Sequence, residues 1–91
     1  MPRWAAKVDV NQAEIVAALR AVGAVVQVLS RVGQGVPDLA VGKHGRFWWM
    51  EVKTEKGELT PAEKEFMSRW RDNYVIVRTP EEALKAIGAM E

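Results

Sequence analysis

Apolar positions along the chain change period several times, and each change marks an element. Over "VNQAEIVAALRAVG" they recur at Ile15, Ala18, Leu19 and Val22, the spacing of one helical face, and Gly23 ends the run. Asn11 stands where an N-cap belongs, with Val10 and Ile15 at the two positions of a hydrophobic staple, so residues 1–9 read as a loose lead-in. "AVVQVLSRV" is rich in β-branched residues and reads as a strand that stops at Gly33-Gln34-Gly35. "VPDLAVG" and "RFWWMEVKT" are two further strands, joined through Lys43-His44-Gly45 as a hairpin.

The second half of the chain carries sharper punctuation. Thr60-Pro61-Ala62-Glu63 combines a capping threonine, proline at the first helical position and an acid three residues after the cap. The helix it opens turns Phe66, Met67 and Trp70 inward. Asp72-Asn73 leads into "YVIVR", a short buried strand, and Thr79-Pro80-Glu81-Glu82 repeats the capping device before a helix with Ala83, Leu84 and Ile87 inward. The predicted order is α-β-β-β-α-β-α, an α/β (α+β) class chain. Neither a repeat nor a low-complexity segment interrupts it, and 91 residues fit one small domain.

Composition narrows the setting. Hydrophobic residues at 48% and charged residues at 27% match a soluble folded domain rather than a disordered chain. With no cysteine, neither disulfides nor a thiolate zinc site hold it together, which suits a reducing cytoplasm. "MPRWAAKVDV" lacks the apolar run of a signal peptide and no segment is long enough to span a bilayer, so a cytoplasmic protein with no membrane partner is expected. A net charge of +1 does not by itself announce a nucleic-acid partner. Arg31, Lys43, Arg46, Lys53 and Lys56 all fall in the middle third, however, and permit a basic rim around a groove.

Asp38, Glu51 and Lys53 interrupt strands that are otherwise strongly apolar, and buried charge is costly unless it is paired or binds something. Alternation puts Glu51 and Lys53 on one face and Val52 on the other. A loop with an even number of residues, such as His44-Gly45, sets Asp38 directly across from Glu51, whereas an odd loop without a bulge sends it to the opposite face. Two carboxylates so close need a compensating positive charge. A divalent metal supplies one, and Mg²⁺ accepts two carboxylates and a backbone carbonyl, here that of Val52, while leaving room for phosphate. Such a site suits phosphodiester hydrolysis, with Lys53 positioning water or stabilising the charge that builds up.

The same residues resemble a known family. Pro37-Asp38 and Glu51-Val52-Lys53 are similar to the PD-(D/E)XK nuclease motif. Together with Asn11-Gln12-Ala13-Glu14, Gly35-Val36, Thr54, Gly57 and Leu59-Thr60-Pro61, they resemble the VRR-NUC (virus-type replication-repair nuclease) group over residues 10–75. The resemblance implies a restriction-endonuclease-like core, a mixed sheet flanked by helices, and a metal-dependent DNA endonuclease using Mg²⁺, with Mn²⁺ expected to substitute. It further implies a stand-alone, phage-encoded type working in the bacterial host cytoplasm as a homodimer on branched DNA such as four-way (Holliday) junctions. Asp38, Glu51 and the Val52 carbonyl are then metal ligands, Lys53 is catalytic, and Glu14 reaches the metal from its helix, directly or through water. Glu14 also extends the inward stripe through Ala18 and Val22. Glu63 stands where the group often has glutamine, which leaves its role open.

Plainer readings compete. Glu14 completes a capping box with Asn11 equally well, and for Glu63 capping by Thr60 is the stronger reading. Asp38, Glu51 and Lys53 also satisfy the description of a buried ion triad, although such triads often stabilise little. His44 is read as an exposed turn residue, joining Lys43 and Arg46 in a basic hairpin tip that touches phosphates; Lys56 and Arg31 complete the DNA-binding set. Trp48 and Trp49 face opposite sides of their strand as packing groups. Three functions follow: a junction endonuclease, a nuclease of flaps or plain duplex, and an inactive DNA-binding module of the same fold.

Overall fold

The computed structural model describes the backbone of residues 3–91 and side chains from residue 10 onward. Helix α1 (Arg3–Ala21) leads into β1 (Val25–Val28), β2 (Leu39–Lys43) and β3 (Arg46–Val52). Helix α2 (Pro61–Trp70) and a 3-10 turn (Arg71–Asn73) follow, then β4 (Tyr74–Val77) and α3 (Pro80–Ala86). The predicted element order is the observed one. The four strands form one mixed sheet in the order β1-β2-β3-β4, antiparallel except for the parallel pair β3 and β4.

Alternation along the strands divides the side chains into two layers. Leu39, Val41, Trp48, Met50, Val52 and Val77 face α1 and α3, where they meet Ile15, Val16, Leu19, Ala83 and Ile87 in the main core. Full burial of a side chain such as Leu39 or Met50 contributes about 1.5–3 kcal/mol against leaving it in water. On the opposite face, α2 lies over Trp49, whose ring meets Phe66 and Trp70 edge-on at 5.2 Å each. The β3–α2–β4 crossover thus covers one face while α1 and α3 cover the other.

Local devices act as predicted at both Thr-Pro starts. Thr60 Oγ1 accepts from the Glu63 amide at 3.2 Å, and the Glu63 carboxylate accepts from the Thr60 amide at 2.8 Å, a complete capping box. Thr79 Oγ1 accepts from the Glu82 amide at 3.1 Å, but the Glu82 carboxylate turns to the Arg78 amide at 2.7 Å, so this second box is half of the expected one. The hairpin closes through His44 and Gly45 alone, with Lys43 opposite Arg46. Both turn residues have positive φ, 53° and 77°, the type I′ geometry whose twist matches the strands.

Three expectations are corrected. The first helix begins at Arg3, so Asn11 lies inside it and neither the cap nor the staple forms; Val10 is exposed. Residues 3–9, read as a lead-in, continue the helix backbone, and residues 1 and 2 lie outside the described part. The first strand is confined to Val25–Val28, because beyond it the chain leaves the sheet for an excursion that returns where the Leu29 amide donates to the Asp38 carbonyl at 2.7 Å. Helix α2 buries none of its residues, and Trp70 remains 48% exposed, since only the Trp49 side of the sheet lies beneath it.

Candidate active site

Asp38 immediately precedes β2, and the register decides its side. Leu39 pairs with Met50, which sets Asp38 opposite Glu51 on the face away from the main core. The even, two-residue turn at His44-Gly45 is the cause, because loop parity determines facing in a hairpin. One Asp38 oxygen, Oδ2, accepts from the Val52 amide at 2.9 Å and so ties the carboxylate to the end of β3. A tight approach steers the chain into this position: Gly35 has φ 83°, and a Cβ there would lie 2.4 Å from the Ala62 carbonyl oxygen, so the loop before Asp38 runs against the first turn of α2.

Asp38, Glu51, Val52, Lys53, Thr54, Gly57 and Glu63 line a cleft of about 300 Å³. Glu51 is 3% exposed, and its Oε1 is buried without a hydrogen-bond partner among the described residues. Burial, a hydrogen bond with Asp38 and the negative charges of Asp38 and Glu63 push its carboxyl up to about 9, against a smaller opposing pull from Lys53. The Lys53 ammonium stands 2.8 Å from Glu63 Oε1 and 3.8 Å from Glu51 Oε2. For Glu63, burial works upward, and the hydrogen bonds from Lys53 and Thr60 outweigh it, so its carboxyl lies below the ordinary value. Glu63 therefore caps α2 and holds Lys53 with the same oxygen.

The donor set suits a hard divalent cation. Asp38 and Glu51 supply two adjacent carboxylates, the Val52 backbone lines the same cleft, and the orphaned Glu51 Oε1 wants either a proton or a cation. Among the described residues no three His, Cys, Asp or Glu side chains form a ready-made cage.

Other expected members stand elsewhere. Glu14 is exposed, since the buried stripe of α1 centres on Ile15 and Leu19, about 100° away around the helix; its expected inward facing is corrected. Among the described side chains of α1, Asn11 touches the site, its Nδ2 donating to the Lys53 carbonyl at 3.4 Å. Lys43 is drawn back onto the Val22 carbonyl and secures the α1–β1 corner instead of standing free at the hairpin tip. Arg46 lies over the Trp48 ring at 4.9 Å, five residues from Glu51 along β3, hence roughly 17 Å from the carboxylates. The basic tip, with His44 exposed as expected, is thus remote from the cleft. Lys56 is exposed beside the cleft, and Arg31 is exposed in the excursion that ends at Asp38.

One contributor, Arg78, escaped the sequence reading, whereas Gly57 was singled out there only as part of the family motif. Gly57 forms part of the cleft wall, and the Arg78 guanidinium donates to the carbonyls of Thr54 and Gly57 at the cleft's edge. The available signal for Arg78 was a charged residue directly after a buried strand, but its reach depends on β4 lying beside β3.

No family profile and no curated protein sequence matches the chain. Among solved structures, a chain described as a VRR_NUC domain superimposes with a TM-score of 0.74 at 30% sequence identity, covering 89% of this chain and 94% of its own length.

Proposed function

This chain belongs to the VRR-NUC family, and on that premise we propose that it is a metal-dependent DNA endonuclease hydrolysing phosphodiester bonds in branched DNA, four-way junctions foremost. The observation that carries the reading is the pairing of Asp38 with a buried Glu51, one of whose oxygens is orphaned, in a cleft that Lys53 also enters. Asp38, Glu51 and the Val52 carbonyl would hold Mg²⁺, or Mn²⁺ in its place. When bound, such a cation supplies polarisation of a phosphate oxygen and acidification of a water molecule.

The chain's own residues do the rest. Asp38, tied to the Val52 amide, keeps its second oxygen directed to the cleft without rotating freely. Glu51 is fixed by burial, so no reorganisation is needed when charge changes beside it. Lys53 carries the positive charge of the cleft and stabilises the negative charge that builds on the phosphate in the transition state. Glu63 holds that ammonium in place, and Lys56, exposed next to the lining residue Gly57, and Arg31, exposed in the excursion before Asp38, serve as phosphate contacts that position the duplex. A homodimer completes the proposal, because paired cuts in a two-fold junction call for two sites related by a two-fold axis.

The test is cleavage of a labelled four-way junction, a flap and a linear duplex, each with Mg²⁺, Mn²⁺ or chelator. Paired symmetric junction cuts are expected, abolished by chelator and reduced ~10²–10³-fold in Lys53→Ala. Equal cutting of all three substrates would discard junction preference and keep the site. DNA binding without cutting by folded protein would favour the inactive binding module.

A further inference from the structure

Parallel pairing brings the C-terminal ends of β3 and β4 side by side. Val52 pairs with Val77, and the Lys53 amide donates to the Val77 carbonyl at 3.1 Å as the last bond of that ladder. Beyond it the two chains part. One enters the segment Thr54–Gly57, closed as a turn by the Gly57 amide donating to the Thr54 carbonyl at 3.0 Å. The other continues through Arg78 into α3.

Arg78 spans the gap. Its Nη1 donates to the Thr54 carbonyl at 2.6 Å and to the Gly57 carbonyl at 2.9 Å, closing the turn from outside. No carboxylate forms an ion pair with this guanidinium among the described residues, so its hydrogen bonds are spent on the turn. The arginine is itself held, since its backbone amide donates to the Glu82 carboxylate at 2.7 Å in the first turn of α3. Inside the turn, Gly57 stands beside the Lys53 stem, where an added Cβ would come into ordinary van der Waals contact, 3.4 Å, with both Cβ and Cδ of the lysine. Lys53 thus has the turn beside its stem and Glu63 and Glu51 at its ammonium.

We infer that Arg78 is a positioning residue of this site, clamping the Thr54–Gly57 turn and, through the turn, fixing where the Lys53 ammonium stands. Arg78 is not among the residues that line the cleft. Its catalytic consequence rests on the nuclease reading, whereas the clamp itself rests on the hydrogen bonds alone. A displacement of about 1 Å in a charged group that stabilises a transition state is enough to cost ~10²-fold in rate.

Two measurements on wild type, Arg78→Ala and Arg78→Lys separate these levels. Amide hydrogen exchange by NMR reads the clamp: the Gly57 amide is expected to exchange at least ~10-fold faster in Arg78→Ala while the amides of the α1–α3 core keep their protection. Cleavage kinetics read the consequence: kcat falls ~10- to 100-fold with KM within about twofold, and lysine restores part of the loss. Unchanged Gly57 exchange overturns the clamp. A raised KM with kcat intact also overturns the inference, because it would make Arg78 a DNA-binding residue. Should Arg78→Ala fail to fold, Arg78→Lys and Arg78→Gln carry the same comparison. Wild-type protein that cuts no DNA would refute the nuclease reading alone, and the exchange data would still decide the clamp.

Discussion

The two faces of the sheet are built from the same strands and obey different rules. Toward α1 and α3, β3 presents Trp48, Met50 and Val52 to a wholly apolar layer containing Leu39, Val41, Val77, Ile15 and Leu19. Toward α2, the same strand presents Trp49 and Glu51, and the first residue of β4 adds Tyr74. On that side, among the described residues, three buried polar atoms have no partner: Trp49 Nε1, Glu51 Oε1 and the Tyr74 hydroxyl. Burial and the charges of Glu51, Glu63 and Asp38 push the Tyr74 phenol well above its ordinary range. One face holds the molecule together; the other tolerates unsatisfied groups because the first is well packed.

The comparison is most easily broken by exchanging what each face lacks. Glu51→Gln keeps the shape of the active face and removes its anionic ligand, so metal-dependent cutting is expected to fall by at least ~10³-fold while the thermal midpoint at pH 8 stays level or rises. A large loss of folding at pH 8 would show that Glu51 serves the structure. The reciprocal change on the other face is Leu39→Ala, expected to destabilise by about 2–5 kcal/mol in urea unfolding while leaving kcat per folded molecule within about twofold.

Acidity sharpens the contrast further. In metal-free protein the Glu51 carboxyl sits at about 9 against an ordinary 4.5, so between those values the folded chain keeps a proton that the unfolded chain has released. Stability therefore falls as pH rises across that window, by up to ~1.4 kcal/mol per pH unit. Urea midpoints at pH 5, 7 and 9 should show the fall, Glu51→Gln should flatten it, and excess Mg²⁺ should oppose it. Glu63, displaced downward, contributes with the opposite sign, and its stabilisation is lost only on acidification below the ordinary carboxylate range. The smallest effect belongs to the solvent side of α2: Arg69→Ala removes an exposed i,i+4 pair with Glu65 at 3.1 Å and should shift stability by no more than about 0.5 kcal/mol.

Much of this was legible from short-range features. Period and punctuation located every element, because helix caps, turn residues and strand alternation act over a few residues. For Asp38 the sequence offered two facings, and the two-residue His44-Gly45 turn of the structure selects the one opposite Glu51; the two Thr-Pro caps stand where they were read. Errors arose where a local signal had a longer-range competitor. Asn11 looks like a cap, but the preceding residues continue the helix. Glu14 looks inward by spacing, but the buried stripe is centred on Ile15 and Leu19 by the sheet beneath it.

What the sequence alone determined is that Glu51 and Lys53 share one strand face with Val52 on the other; the face of Asp38 it left to the hairpin register, which the structure supplies. Only the tertiary structure decided which further groups meet them. The parallel placement of β4 beside β3 brings Arg78 to the Thr54–Gly57 turn, the approach of Gly35 to Ala62 seats Asp38 against α2, and the capping acid Glu63 is brought onto Lys53. Facing follows from an alternation every residue shares with its neighbours, whereas these meetings join residues far apart in the chain or depend on how a helix docks on the sheet, and no local periodicity encodes either.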